Sequence, residues 1–290
     1  LSLASSDGNY VYNIGYQGFV IISGNTVLPP VLGWSDQGNF PALEEAPDNF
    51  ASWIRHYSEM IDYATANGIQ PEARVKRQWD EAAQGLFGLR EAQTVAPLVS
   101  TRWNQDCYYN EYCPETNEGL WWGGPCGHAY AGCVATAMGQ VMKYWNYPET
   151  GFGSHSYIHS EYGEQSANFG ATTYHWEDMP VEIFSHNDAI ATLLYHCGVS
   201  VNMNYSGSGS GAQSADVEIA LRSYFGYCGA KYRQKSSYQE EAWIAMLKAE
   251  LDLSHPLYYS GSNGESGHAF VCDGYDNNDL MHFNFGWSGS

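Results

Sequence analysis

Gly132-Cys133-Val134-Ala135-Thr136-Ala137-Met138-Gly139-Gln140-Val141-Met142-Lys143-Tyr144-Trp145 places a cysteine on the first turn of a buried helix. Val134, Ala137, Met138, Val141, Met142 and Trp145 recur at the spacing of one apolar helical face. Gly132 allows a sharp entry, and Tyr147-Pro148 stops the helix soon after. A thiol at a helix N-terminus sits in the positive end of the macrodipole, which favours the nucleophilic thiolate. A small buried core cysteine would look similar, so a second segment has to decide.

That segment is Gly267-His268-Ala269-Phe270-Val271-Cys272-Asp273-Gly274-Tyr275-Asp276, a strand entered through glycine and left through a turn, with His268 at its rim. A short Asp/Asn turn leads to the next strand, Leu280-Met281-His282-Phe283-Asn284-Phe285-Gly286-Trp287, where an antiparallel neighbour sets Asn284 beside His268. Cysteine, a distant histidine and an amide to hold the imidazole are the parts of a thiol acyl-transfer site.

With these residues in view, Cys133 in GCVATAMGQVMKYWNYP and His268 in GHAFVCDGYD resemble the two catalytic blocks of the streptopain family of secreted bacterial cysteine peptidases. Tyr10 to Phe40 resembles that family's propeptide, and Pro97 to Asn110 the start of its mature enzyme. YHWEDMP at 174–180 and CGVSVNMNY at 197–205 resemble further family segments. The resemblance implies an α+β, papain-like peptidase, a helical part plus an antiparallel sheet, behind a small α+β propeptide domain. It also implies that Gln105, in Trp103-Asn104-Gln105, donates to an oxyanion, and that the glycine-rich Tyr205–Gly211 stretch borders the cleft. It implies further that Asn284 orients the imidazole and that Trp287 walls the site. Where the family usually has Asn-Trp-Gly-Trp-Gly-Gly, this chain has Asn284-Phe285-Gly286-Trp287-Ser288-Gly289, so no indole N–H is available at Phe285. The family continues beyond this point, so the catalytic part reads as truncated at its C-terminus.

The 290 residues leave room for two modest domains or one large one, and the boundary signals divide them into 1–95 as propeptide and 96–290 as peptidase, with the junction near Glu91–Pro97. The first part reads as a meander over Tyr10–Ile14, Gly18–Ile22 and Thr26–Leu32. A helix capped by Asp48 follows, with Phe50, Trp53, Ile54, Tyr57, Ile61 and Ala64 on one face. The second part shows helical periodicity from Asn187 to Cys197, closed by Gly198. It recurs from a Ser214 cap through Tyr224, and from Trp243 to Leu251; strands dominate after Pro256. Helices early and strands late suggest α+β with a cleft between them.

Thirty-two acidic residues against twelve basic ones give a net charge of −20, which repels phosphate backbones and argues against a nucleic-acid partner. No run of 18 apolar residues is present, so no membrane span is expected. The acidic excess falls on both parts, 11 against 5 in residues 1–95 and 21 against 7 in the rest, so mutual inhibition must be steric and local. Of the seven cysteines, Cys107, Cys113 and Cys126 share a polar loop where a disulfide fits an oxidising compartment. Cys126, His128 and Cys133 match no common zinc spacing, and no cofactor or metal is expected.

These readings converge on the zymogen of a secreted cysteine endopeptidase acting on protein and peptide substrates, held by its own propeptide. Two rivals use the same residues or composition: a transglutaminase-like thiol acyltransferase, and an aromatic-rich extracellular binding module.

Overall fold

The computed structural model describes residues 2–6, 8–15, 18–35, 38–40, 48–84, 94–116, 123–262, 264 and 266–289. The N-terminal part opens with an antiparallel meander of β1 (Ser2–Ser6), β2 (Asn9–Asn13), β3 (Phe19–Ile22) and β4 (Val31–Ser35) in sequential order. Helices α1 (Asp48–Asn67) and α2 (Ala73–Ala83) follow. Val11 and Ile21 from the sheet and Ala51 and Ile54 from α1 form a small buried core. Phe50 and Trp53, expected on that face, lie outside the described side chains. The expected strand Thr26–Leu32 is displaced to Val31–Ser35, because Ser23 and Asn25 close a turn through side-chain bonds to nearby backbone. The strand β1 carries no alternating pattern and was not expected.

The larger part begins with an extended segment and a strapped loop before α3 (Cys133–Trp145). The hairpin β5 (His155–His159) and β6 (Gly163–Ala167) follows, then α4 (Asp188–Ser200), α5 (Asp216–Tyr224) and α6 (Glu240–Asp252). The antiparallel strands β7 (Leu257–Ser262), β8 (Gly267–Tyr275) and β9 (Met281–Asn284) close the described chain. This is the α+β layout anticipated from helices early and strands late. α3 and α4 pack together in the core, with Met138, Met142, Leu193 and Leu194 fully buried, and α3 also lies against β8 through Ala269 and Val271.

Gly198 does not end α4. A Cβ there would fall 2.2 Å from the Tyr205 hydroxyl, so the glycine serves a close approach inside the helix rather than a stop. Asn187 caps α4 by accepting from Ile190 N–H. Ser214 does not cap α5, which starts after Ala215; its hydroxyl bonds the Tyr258 hydroxyl at 2.9 Å. Val95 pairs with Tyr275 of β8, and Leu98 N–H donates to Asp273 O. The chain therefore joins the C-terminal sheet by residue 95; residues 91–93 of the expected junction lie outside the described residues.

Candidate active site

A groove of about 2060 Å³ runs between the α3 side and the β7–β8 side of the larger part. Cys133, Ser210, Ser214, Tyr258 and His268 all line it. Gly132 delivers Cys133 to its wall. Its φ of +91° suits glycine, and a Cβ would meet the Met203 side chain at 2.8 Å and Ser210 Cβ at 3.2 Å. The Tyr205–Gly211 stretch borders the groove as a closed turn: Asn204 and Gly211 exchange both backbone hydrogen bonds, and Ser210 Oγ accepts from Ser206 N–H.

His268 is the second residue of β8, opposite Gly261 of β7, so no side chain crowds it from across the ladder. The Ala269 backbone lies against the Cys133 sulfur and favours its thiolate, which sets the sulfur beside the residue that follows His268. Burial works the other way and is the larger effect, so the thiol is pushed above its ordinary value. Burial likewise drives the imidazole down to about 4, partly offset by its bond to the Phe285 carbonyl. The helix-terminus argument favours a thiolate, but in this state desolvation outweighs it and both groups rest neutral.

The His268 ring makes a 2.9 Å contact from Nε2 to Phe285 O and stacks on Trp287 with centroids 4.5 Å apart. Phe285 stacks in turn on Trp287 at 5.3 Å. Trp287 also packs against the small core of the N-terminal part, so one indole touches both the histidine and the propeptide-like domain. A second contact of this kind joins Trp34 of β4 to His282 of β9.

The Asn284 amide is not directed at His268. Its register partner is Val271, its Nδ2 donates to Thr101 O at 2.7 Å, and its Oδ1 accepts from Gln140 Nε2 and Gly286 N–H. The expectation that Asn284 holds the imidazole directly is thus corrected: Asn284 stands opposite Val271, three residues along the strand from His268, and its amide is spent on a buried network. Thr101 Oγ1 closes that network on Gln140 Oε1. The sequence held one signal of it, a glutamine seven residues after Cys133 on a helix whose neighbours are apolar.

Gln105 reaches the site through backbone. Its carbonyl accepts from Ala131 N–H at 2.9 Å, two residues before Cys133. Asn104, its neighbour, donates to Ser288 Oγ, and Ser288 N–H donates to Trp103 O, so the Gln105 segment is tied to the Trp287 segment. The disulfide joins Cys107 to Cys126, and Cys113 stays a buried free thiol. Among the described residues the one His/carboxylate group spaced for a metal is the exposed His175, Glu177 and Asp178, remote in sequence from Cys133 and His268.

A model of the peptidase C10 family matches residues 103–290, and one of the Spi protease inhibitor matches residues 3–61. The chain belongs to the peptidase C10 family. Streptopain of Streptococcus pyogenes is 32% identical over 306 residues, covering 98% of this chain and 72% of that protein. The thiol protease/hemagglutinin PrtT of Porphyromonas gingivalis is 32% identical over 97% of this chain; the match spans 32% of that protein's length. A cysteine-to-alanine fragment of Prevotella intermedia prointerpain A superposes with a TM-score of 0.80 at 33% identity, covering 99% of this chain and 89% of that one. Active interpain A of the same organism superposes with a TM-score of 0.61 at 39% identity, over 68% of this chain and 83% of that one. An inhibitor-type domain ahead of a C10 peptidase domain, matched end to end by a proenzyme, is a cysteine peptidase zymogen. This decides between the readings of the sequence: the binding module and the cross-linking enzyme give way to the peptidase. No described helix is long and apolar enough to cross a membrane.

Proposed function

We propose that this chain is the latent form of a secreted endopeptidase that cleaves polypeptides through Cys133 and His268. The observation that carries the assignment is that Cys133, at the start of α3, and His268, on β8, line the same groove. Secretion is supported by the disulfide and the secreted character of the resembled family.

In the active form the Cys133 thiolate attacks the scissile carbonyl and His268, as imidazolium, protonates the leaving amine. The oxyanion takes hydrogen bonds from the Cys133 backbone N–H, free of an intrahelical acceptor at the helix start, and from the Gln105 amide. Water then cleaves the thioester with His268 as base. Asn284 acts on this chemistry through the backbone: it holds the Phe285–Gly286 turn, whose carbonyl bonds the imidazole. Trp287 shields the ring.

The state described is latent. The imidazole is bonded to a carbonyl and lies under an indole that the N-terminal domain packs against, and thiol and imidazole are both neutral. Removing that domain frees the indole stacked on His268, which lets the ring move and the ion pair form. Casein cleavage in reductant tests the reading. Activity is expected to vanish on alkylation of Cys133 and in the Cys133→Ala variant; cleavage surviving both assigns the chemistry elsewhere.

A further inference from the structure

The Cys107–Cys126 disulfide sits at neither the nucleophile nor the base, yet it joins the two segments that approach the oxyanion position. Cys107 is two residues past Gln105. Cys126 precedes Ala131, whose N–H donates to the Gln105 carbonyl, and Ala131 leads through Gly132 into Cys133. Between them, the buried Asn110 amide donates to Pro125 O at 2.9 Å and Ala129 O at 3.2 Å, and Ala129 N–H donates to Pro114 O. The loop is thus a strap drawn across the entrance of α3, with the sulfur bridge as its covalent tie.

We propose that this disulfide is a positioning element that holds Gln105 where an oxyanion forms, so that full activity needs one reduced thiol at Cys133 and one intact bridge. The proposal rests on the roles given above to Cys133 and Gln105. A bridge of this kind restricts the loop to few arrangements, and a donor has to be fixed before charge develops if it is to stabilise that charge. Cys126 is exposed and Cys107 half-buried, so a dithiol reaches the bond. Dithiothreitol supplies two electrons and two protons: the Cys107–Cys126 bond becomes two thiols while the reagent closes to its own cyclic disulfide.

The test compares the processed wild-type enzyme with C107S/C126S prepared from the full chain, using three readouts. Turnover of a peptide amide gives kcat and KM. A peptide aldehyde adds to Cys133 and places an oxygen at the oxyanion donors. Iodoacetamide alkylates Cys133 without forming an oxyanion. The expected result is a kcat at least tenfold lower, aldehyde affinity lowered in parallel, and KM and alkylation rate each within twofold. On folded wild-type enzyme, increasing dithiothreitol is expected first to raise activity as Cys133 is uncapped. Activity then falls as mass spectrometry shows the bridge opening, whereas the double variant shows the rise alone. Should the double variant not fold, the wild-type titration decides by itself. An opened bridge with unchanged kcat and aldehyde affinity overturns the proposal, as does an equal fall in alkylation rate, which marks general loosening. A wild-type enzyme insensitive to alkylation, or a Gln105→Ala variant with full kcat, instead sinks the catalytic assignments beneath it.

Discussion

Trp287 stacks on His268 with ring centroids 4.5 Å apart and planes inclined by 24°, and the same indole packs against the core built by Val11, Ile21 and Ile54. The N-terminal domain is therefore linked to His268 through a side chain that belongs to the peptidase.

Trp34 offers a way to loosen that domain without altering the mature enzyme. Its ring lies 5.9 Å from His282 on β9. Truncating an aromatic anchor at an interface costs about 1–2 kcal/mol when it is partly exposed. Trp34→Ala is expected to speed self-processing roughly tenfold, with kcat and KM of the processed enzyme unchanged. Gel densitometry over time checks the first and peptide turnover the second; an unchanged processing rate removes Trp34 from the latch.

The thiol should betray the latent state directly. Burial raises Cys133 in the zymogen, so little thiolate exists at neutral pH. Iodoacetamide is expected to label the unprocessed chain more slowly than free cysteine and the processed chain much faster. Mass spectrometry separates the two forms within one sample. Equal labelling rates would refute a desolvated thiol.

Acid should weaken the zymogen through His268. Burial holds its folded value near 4 against an unfolded value near 6.5. Between those values the unfolded chain binds more protons than the native one, so stability rises with pH. The contribution is intact above about 6.5 and is lost as pH falls towards 4, by on the order of 3 kcal/mol. His196, also driven down to about 4 by burial, acts in the same direction. Denaturant midpoints of the Cys133→Ala zymogen across this range check the slope, and a His268→Gln change should flatten part of it. A midpoint independent of pH from 6.5 to 4 contradicts the burial argument.

The Asn284 network predicts a cost in folding. Asn284→Ala removes bonds to Thr101 O, Gln140 Nε2 and Gly286 N–H and leaves buried polar atoms unpaired. A loss of about 2–4 kcal/mol is expected. A double-mutant cycle with Gln140→Ala should show coupling, since the two amides share one bond. Additive losses would mean that the amides act independently.

Processing has a downstream limit. Val95, Leu98 and Val99 donate backbone N–H groups to Tyr275 O, Asp273 O and Asp273 Oδ2. A peptidase needs an unpaired, extended stretch. N-terminal sequencing of the mature product is therefore expected to find a first residue no later than Val95. A product beginning at Leu98 or beyond would show that these bonds open readily.

Much of the site was legible in the residues. The apolar stripe behind Cys133 and the glycine ahead of it express one local requirement, a thiol at a helix entrance, and Gly132 meets it in both conformation and space. The strand carrying His268 was plain from its glycine-bounded apolar run. What escaped was non-local. The Asn284 amide went to Thr101 and Gln140, partners far away in the chain, and no alternation pattern records such bonds. The Ser214 hydroxyl went to Tyr258 because a partner 44 residues away outcompeted a local cap. Gly198 resembled a stop until Tyr205 filled the space beside it. The balance between dipole and burial at Cys133 depends on the core packed around the sulfur, which no local window contains.

Asp273 carries a consequence for how the enzyme is born. Fully buried, its carboxylate takes the Val99 amide on one oxygen and His282 Nδ1 on the other. The freshly cut leading end thus stays stitched to the central strand of the catalytic sheet. Maturation becomes a subtraction: the N-terminal part departs, while the frame that presents the cysteine and the histidine keeps its seam.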